Sequence, residues 1–192
     1  MPNWCNNNIE ITGPASKINA IWTTATDAEN GGLLNAMVPM PEALSNTVKG
    51  TGDELQTEEH DGFTNWYDWS VSRWGTKWDI STEGLEYTDN GDGTATISGW
   101  FDSAWSPPIT AYNTWLENNE DCTLNASYYE PGMDFGGFYD NGDDLYLEEL
   151  HEEFKLPEEQ QSELYRRLDD EYGLSDNYDM WDEDEDEDDD DA

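Results

Sequence analysis

Charged and aromatic side chains that could form a pocket are concentrated in two segments of the sequence. Segment 70–79 carries two bases and an acid among tryptophans, and segment 101–108 carries a further acid and tryptophan. Bases beside acids, walled by indole rings, could bind an anion or a substrate. The candidate residues are Arg73, Trp74, Lys77, Trp78, Asp79, Asp102 and Trp105.

The same residues also have a purely structural interpretation. In so acidic a chain, a base beside Asp79 or Asp102 is readily neutralised in an ion pair. An arginine above a tryptophan ring would add a cation–π contact. Trp105 precedes a helix-start signal formed by Ser106 and Pro107, and we expect it to lie wedged between that helix and a sheet. No catalytic residue is assigned.

Three aromatic residues form a second candidate site. Trp4, Trp100 and Tyr129 are predicted to lie on the sheet face that points away from the helices. In RNA-recognition folds, aromatic rings on that face stack against bases. The alternative is that neighbouring segments cover these rings, and a net charge of -16 over the first 130 residues disfavours RNA.

Metal and cofactor chemistry has little support in the sequence. Segments 89–93 and 140–144 resemble calcium loops, but both carry glycine at the third position of the loop, where a ligand is needed, and lack the glutamate at the twelfth. Turn formation explains both segments. His60 and His151 belong to no paired-ligand motif, and two cysteines cannot hold an iron–sulfur cluster in the usual manner. No cofactor and no metal are expected.

The charge of the chain restricts its partners. The formal net charge is -39, from 46 acidic and seven basic residues. Phosphate contacts need Lys and Arg, so duplex DNA and anionic membranes are excluded and other nucleic acid is disfavoured. A basic protein, bound through nucleic-acid mimicry, is permitted, although solubility or high-salt adaptation would also explain the acidity.

A run of ten acidic residues stands near the end of the sequence. Such a run repels itself and is expected to be disordered. Its members are Asp182, Glu183, Asp184, Glu185, Asp186, Glu187, Asp188, Asp189, Asp190 and Asp191.

Hydrophobic periodicity predicts an α+β protein. Its elements follow the order β-α-insert-β-β-α-β, which is typical of a ferredoxin-like fold: a four-stranded antiparallel sheet with two helices on one face. The insert is irregular and includes a polar, mobile loop at 51–62. After the fourth strand we expect a hairpin and a helix.

The predicted organisation is one domain with two additions. Residues 1–135 form the ferredoxin-like domain, with the insert at about 30–79. Residues 136–174 form a C-terminal hairpin and helix packed on or beside it. Residues 175–192 form the disordered acidic tail.

Four short motifs stand in a characteristic order along the sequence. They are Met1-Pro2-Asn3-Trp4-Cys5-Asn6-Asn7, Pro39-Met40-Pro41, Trp74-Gly75-Thr76-Lys77-Trp78-Asp79, and Phe101 with Ala104-Trp105-Ser106-Pro107-Pro108. Through these motifs the sequence resembles the YubB-type family of phage, plasmid and genomic-island proteins over residues 1–139. The resemblance implies a ferredoxin-like domain and a mobile-element setting, and it implies no catalytic residue.

The acidic charge of the chain and the mobile-element setting that the resemblance implies together favour a non-enzymatic phage or mobile-element accessory protein. It would bind a basic protein of host or phage, with its carboxylates standing in for phosphates. An enzyme with a Trp-walled pocket and a single-stranded nucleic-acid binder are the alternatives. The sequence has no signal peptide and no long apolar run, which predicts the cytoplasm of a bacterial host cell.

The two cysteines test the predicted topology. Cys5 begins the first strand and Cys122 begins the last, and antiparallel neighbours place such residues at opposite ends of a sheet. With strands of about six residues the separation is about 15–20 Å, too far for a disulfide. Two free thiols are expected.

Overall fold

A computed structural model describes residues 3–28, 31–47, 49 and 62–178. The predicted loop at 51–62 (except Gly62), His60 and the ten-residue acidic run lie outside the described residues. The strands are β1 (Trp4–Pro14), β2 (Leu85–Asp89), β3 (Thr94–Ala104), β4 (Thr123–Glu130), β5 (Phe135–Asp140) and β6 (Asp143–Glu148). The helices are α1 (Ala15–Ala25), α2 (Leu33–Met37), α3 (Glu42–Ser45), α4 (Trp66–Arg73), α5 (Ile109–Glu117), α6 (Leu150–Phe154) and α7 (Glu163–Tyr172).

The strands form one open antiparallel sheet in the order β2-β3-β1-β4-β5-β6. The prediction of an α+β protein is confirmed. The predicted C-terminal hairpin continues the sheet, because β5 pairs with β4 from Asn125↔Asp140 to Glu130↔Phe135. The sheet therefore has six strands rather than four plus a separate hairpin.

The larger core lies between one face of the sheet and helices α1, α2, α4 and α5. Alternate residues of β1 point into it, including Ile9 and Ile11. Ile18 from α1 and Tyr112 from α5 meet them there and are fully buried. Burying apolar area of this kind is the main term that stabilises the fold.

A smaller core lies on the opposite face, over β4 and β5. It contains Tyr165 and Leu168 of α7, with Leu174 and Tyr178 from a last helical segment at 174–178. The hydroxyl of Tyr178 donates a 2.5 Å hydrogen bond to Asp134. The predicted start of the tail at Ser175 is therefore wrong, because the apolar side chains of 174 and 178 are needed to complete this core.

The start of α5 also differs from the prediction. The helix begins at Ile109, with Pro108 at the N-cap, so neither Ser106 nor Pro107 starts it. The hydroxyl of Ser106 instead donates to the carbonyl of Gly75, 2.6 Å away. Gly75 has φ +87° just after α4, as expected for a glycine that ends a helix.

The two cysteines are free and buried. Thr123 pairs with Thr12, and a side chain at Gly13 would collide with Sγ of Cys122. Gly13 lies eight residues from Cys5 along β1, so the cysteines are about 26 Å apart at ~3.3 Å per residue. The predicted 15–20 Å was too short, because β1 has 11 residues rather than six.

Both thiols are expected to react slowly with a thiol reagent in the native protein and completely in denaturant. Burial raises the pKa of the Cys5 thiol to about 12, and burial also raises the pKa of Cys122. The reactive thiolate is therefore scarce at neutral pH. The measurement is the rate of thiol labelling with and without denaturant. Rapid native labelling would contradict the burial of the thiols, and a bridged species in non-reduced mass spectra would contradict the topology.

Candidate functional site

Trp74 and Arg73 belong to the packing of the insert. Trp74 is buried, its indole Nε1–H donates to the carbonyl of Val38 at 2.9 Å, and its ring meets Trp69 edge-on at 5.3 Å. The Arg73 guanidinium lies 5.8 Å from the centre of the Phe63 ring. Neither side chain is among those that line the cleft described below.

Asp79 is a structural residue. Its carboxylate accepts hydrogen bonds from the backbone N–H groups of Leu34 (2.7 Å), Asn35 (3.1 Å) and Ile80 (2.7 Å). It thereby accepts hydrogen bonds from two backbone N–H groups in the first turn of α2 that have no partner within the helix. The N-cap residue of α2 is Gly32, which has no side chain to accept them. Burial raises the pKa of the Asp79 carboxyl, although the three N–H donors act in the opposite direction.

Lys77 is surrounded by aromatic rings. Its ammonium lies 4.4 Å from the ring centre of Trp78, 5.2 Å from that of Trp105 and 5.8 Å from that of Tyr67. Within the described part of the chain, no carboxylate comes within 4.0 Å of it. The predicted ion pair is therefore not what holds Lys77; cation–π contacts with three rings do.

Trp105 does not lie between helix and sheet, as the sequence had suggested. It has φ +71° and its side chain is 39% exposed. Its backbone N–H donates to the carbonyl of Asn3 at 2.9 Å, and its ring meets Tyr67 edge-on at 6.4 Å. A left-handed conformation in a bulky residue is strained by about 1–2 kcal/mol, and here it directs an indole ring towards solvent.

Replacing Trp105 tests this conformation. Trp105→Gly is expected to be more stable than Trp105→Ala by about 1 kcal/mol, because both variants lose the ring and only glycine relieves the strain. In ordinary strand or helix positions the order of the two variants is the reverse. The measurement is chemical denaturation of both variants. If alanine is the more stable replacement, the left-handed conformation is wrong.

Some members of the two candidate sets of the sequence meet in one cleft. Trp4, Trp78 and Trp100 line a cleft of ≈ 430 Å³ between the insert and the edge of β3. The rings of Trp4 and Trp78 are 5.8 Å apart. Trp4 pairs with Ala104 and Asn8 with Trp100, so Asp102 stands between the two tryptophans on the same sheet face. This juxtaposition could not be found from either motif alone.

Tyr129, unlike Trp4 and Trp100, is not exposed on the sheet face. It is buried, its ring packs on Tyr172 of α7 at 5.8 Å, and its hydroxyl lies 3.4 Å from that of Tyr178. The hypothesis of an open three-ring stacking face is wrong for Tyr129, because α7 and segment 174–178 cover it. The apolar stripe of α7 was the sequence signal that this helix packs against the rest of the protein, but it did not indicate which face of the sheet α7 would cover.

Four exposed tryptophans form a continuous surface, which we call the tryptophan band. The exposed fractions are 39% for Trp105, 38% for Trp78, 45% for Trp4 and 48% for Trp100. Lys77 bridges Trp105 and Trp78, Trp78 contacts Trp4, and the cleft joins these to Trp100. A contiguous exposed aromatic surface indicates an interaction site, and tryptophan dominates the binding energy of many interfaces.

The cleft in the band is acidic. Among the described residues, Asp79, Glu83 and Asp102 line it, and no lysine or arginine does so. Asp79 is engaged by three backbone N–H groups, and in the described ranges neither Asp102 nor Glu83 has a basic side chain within 4.0 Å. These charges are consequently available to a ligand and would repel an anion.

A second cavity, of ≈ 470 Å³, lies where α7 crosses the sheet. Its polar groups contact one another: Glu171 accepts from Ser127 and, at 3.2 Å, from the Asn8 amide. The Arg167 guanidinium lies 4.0 Å from the Phe138 ring centre. These contacts hold α7 on the sheet, so the tryptophan band is the stronger candidate site.

Within the described ranges, no helix is long and apolar enough to cross a membrane. In the same ranges, no three side chains of His, Cys, Asp or Glu are grouped so that they could hold a metal ion.

No family model matches the sequence, and no curated protein is similar to it. Among solved structures, the crystal structure of the protein api92 from Yersinia pseudotuberculosis, assigned to the family DUF1281, is 14% identical. The alignment covers 77% of this chain and 98% of that chain, with a TM-score of 0.39. At that TM-score the likeness carries no argument about fold or function.

Proposed function

We propose that this chain is a non-enzymatic accessory protein that binds a basic protein, and that the tryptophan band is the contact surface. The observation that carries the proposal is the exposure of four neighbouring indole rings beside the carboxylates of Glu83 and Asp102. Burying those rings would supply affinity. The carboxylates would select a positively charged partner.

The overall charge supports the same partner. A net charge of -39 produces a field that attracts cations and accelerates association with a basic surface. In this proposal the ten acidic residues at 182–191 stand in for phosphates and strengthen the attraction. Because exposed charges are screened by salt, the affinity would fall as ionic strength rises.

The proposal also includes the biological setting in which the protein acts. The strand order β2-β3-β1-β4, with α1 and α5 packed in one core, supports a ferredoxin-like arrangement in the N-terminal part of the chain. With the resemblance to the YubB-type family, we place the protein in a phage or related mobile element within the bacterial host cytoplasm. The partner would then be a basic protein of host or phage.

Capture experiments test the proposal. Full-length protein is immobilised and challenged with purified basic, neutral and acidic proteins at low and high salt. We expect basic proteins to bind and to be released by salt. Trp78→Ser and Trp100→Ser should weaken binding, whereas Tyr146→Ser should not, because Tyr146 is an exposed aromatic of β6, three strands from β1.

Two results would contradict the proposal. Equal retention by the band variants and by Tyr146→Ser would mean that the band is not the contact surface. Quenching of tryptophan fluorescence by a single-stranded oligonucleotide would favour the nucleic-acid alternative, for which Trp4 and Trp100 are still exposed. The enzyme alternative depended on convergence of Arg73, Lys77, Asp79 and Asp102. Asp79 and Asp102 line the cleft, whereas Arg73 lies against Phe63 and Lys77 against Trp78.

A further inference from the structure

We infer that the cleft between Trp4, Trp78 and Trp100 receives an arginine side chain of the basic partner. The inference rests on the proposed function and adds the identity of the group that is recognised. It depends on three observations: the aromatic walls, the placement of Asp102 and the absence of basic side chains from the described residues of the lining.

The walls of the cleft suit a cation. Indole is the side chain whose face attracts cations most strongly. The band already holds one such cation, since the Lys77 ammonium lies 4.4 Å from the Trp78 ring centre. Trp4 and Trp100 have exposed rings, and neither has a cation over it within the described part of the chain.

The position of Asp102 provides the counter-charge. It lies two residues from Trp100 along β3, and two residues from Ala104, the strand partner of Trp4. Each step of two residues is about 7 Å, so a side chain inserted between the tryptophans would reach the carboxylate. A carboxylate accepts two parallel hydrogen bonds from a guanidinium. Glu83 adds a second negative charge at the cleft.

Arginine fits these features better than lysine. Its planar guanidinium can stack on an indole while its edge pairs with a carboxylate, and it is more weakly hydrated than an ammonium. The cleft of ≈ 430 Å³ is within the range of small ligand sites, about 300–1,000 Å³. A phosphate or carboxylate ligand would face Asp102 and Glu83, and no lysine or arginine is among the described residues that line the cleft.

The test uses three short peptides that differ at one central position: arginine, lysine or citrulline. Citrulline has nearly the shape of arginine and no charge. Binding to the full-length protein is followed through the NMR signals of the indole N–H groups. We expect the arginine peptide to shift the signals of Trp4, Trp78 and Trp100, and to bind about tenfold more tightly than the citrulline peptide. The lysine peptide should bind with intermediate affinity.

Matched variants separate a specific site from general electrostatics. Asp102→Asn should weaken the arginine peptide about tenfold. Glu117→Gln removes the same charge from α5 and should leave its affinity unchanged. Both residues are exposed, so both variants are expected to fold.

The outcomes distinguish the two proposals. Suppose that basic proteins bind through the band, but the citrulline peptide binds as tightly as the arginine peptide, or Asp102→Asn and Glu117→Gln have the same affinity for the arginine peptide. The arginine site is then overturned and the proposed function stands. If neither basic proteins nor the arginine peptide bind, both are overturned. If the peptide binds but basic proteins do not, the cleft recognises guanidinium and the proposed function is wrong.

Discussion

Asp79→Ala is expected to lower the free energy of unfolding by about 3 kcal/mol. The substitution removes the acceptor of three backbone N–H groups, those of Leu34, Asn35 and Ile80. A buried donor left without a partner costs about 1–3 kcal/mol, and loss of a helix cap about 0.5–2 kcal/mol. Chemical denaturation of the variant and the wild type measures the difference.

Asp102→Ala is the matched control, because both aspartates belonged to one predicted cluster. Asp102 is exposed and is expected to change the free energy of unfolding by no more than about 0.5 kcal/mol. Similar stability losses in the two variants would show that Asp79 is not the structural acceptor described here. The pair therefore separates the structural member of the cluster from the member available to a ligand.

Raising the pH from about 9 to about 12 is expected to unfold the protein cooperatively. Burial raises the pKa of Cys5 and of Tyr139, each to about 12. Burial also raises the pKa values of Tyr128, Tyr178 and Tyr112. In the unfolded chain, cysteine and tyrosine lose their protons near pH 8.5 and 10, respectively. Between those pH values and the pKa values of the folded protein, the unfolded chain therefore binds fewer protons than the folded protein.

The direction and the size of the change in the free energy of unfolding follow from proton linkage. The stabilisation that these groups contribute is fully present below their pKa values in the unfolded chain. It is lost as the pH rises through their pKa values in the folded protein. Each group contributes a slope of about 1.4 kcal/mol per pH unit. The five groups together remove about 14 kcal/mol over two pH units, which is comparable to a typical stability of about 5–15 kcal/mol. Circular dichroism and tyrosinate absorbance should therefore change together.

Two tyrosine variants provide the controls. Tyr112→Phe removes a buried hydroxyl with no hydrogen-bond partner among the described residues, so it should preserve or raise stability at neutral pH and move the alkaline midpoint upward. Tyr178→Phe removes a hydroxyl that donates to Asp134, so it should destabilise at neutral pH. Tyrosinate formation that precedes loss of structure would contradict the assignment of these side chains to the cores.

Much of the fold could be predicted because its signals are local. Alternation of apolar and polar residues marks β1, β3 and β4, and the glycine-containing turns mark the β2–β3 and β5–β6 hairpins. The free, buried state of both cysteines also agreed with the prediction. The predicted ends of helices and strands were less accurate, as at the start of α5 at Ile109. The end of a helix depends on which neighbouring group forms a hydrogen bond with each free backbone N–H or C=O group.

The candidate site was harder to predict, because its members are joined through space. The sequence placed Asp79 beside Lys77, yet Asp79 satisfies the backbone of α2, 45 residues away, since Gly32 has no side chain to do so. The exposure of Trp105 follows from a left-handed backbone that no propensity scale indicates.

The sequence by itself determined the charge of the protein, the strands and the aromatic residues available for binding, because composition and periodicity depend on neighbours along the chain. Only the tertiary structure decided which aromatic residues are exposed. Docking of α7 buried Tyr129, and pairing of β1 with β3 brought Trp4 and Trp100 to either side of Asp102. Those outcomes depend on long-range packing, whose energy a local sequence pattern does not encode.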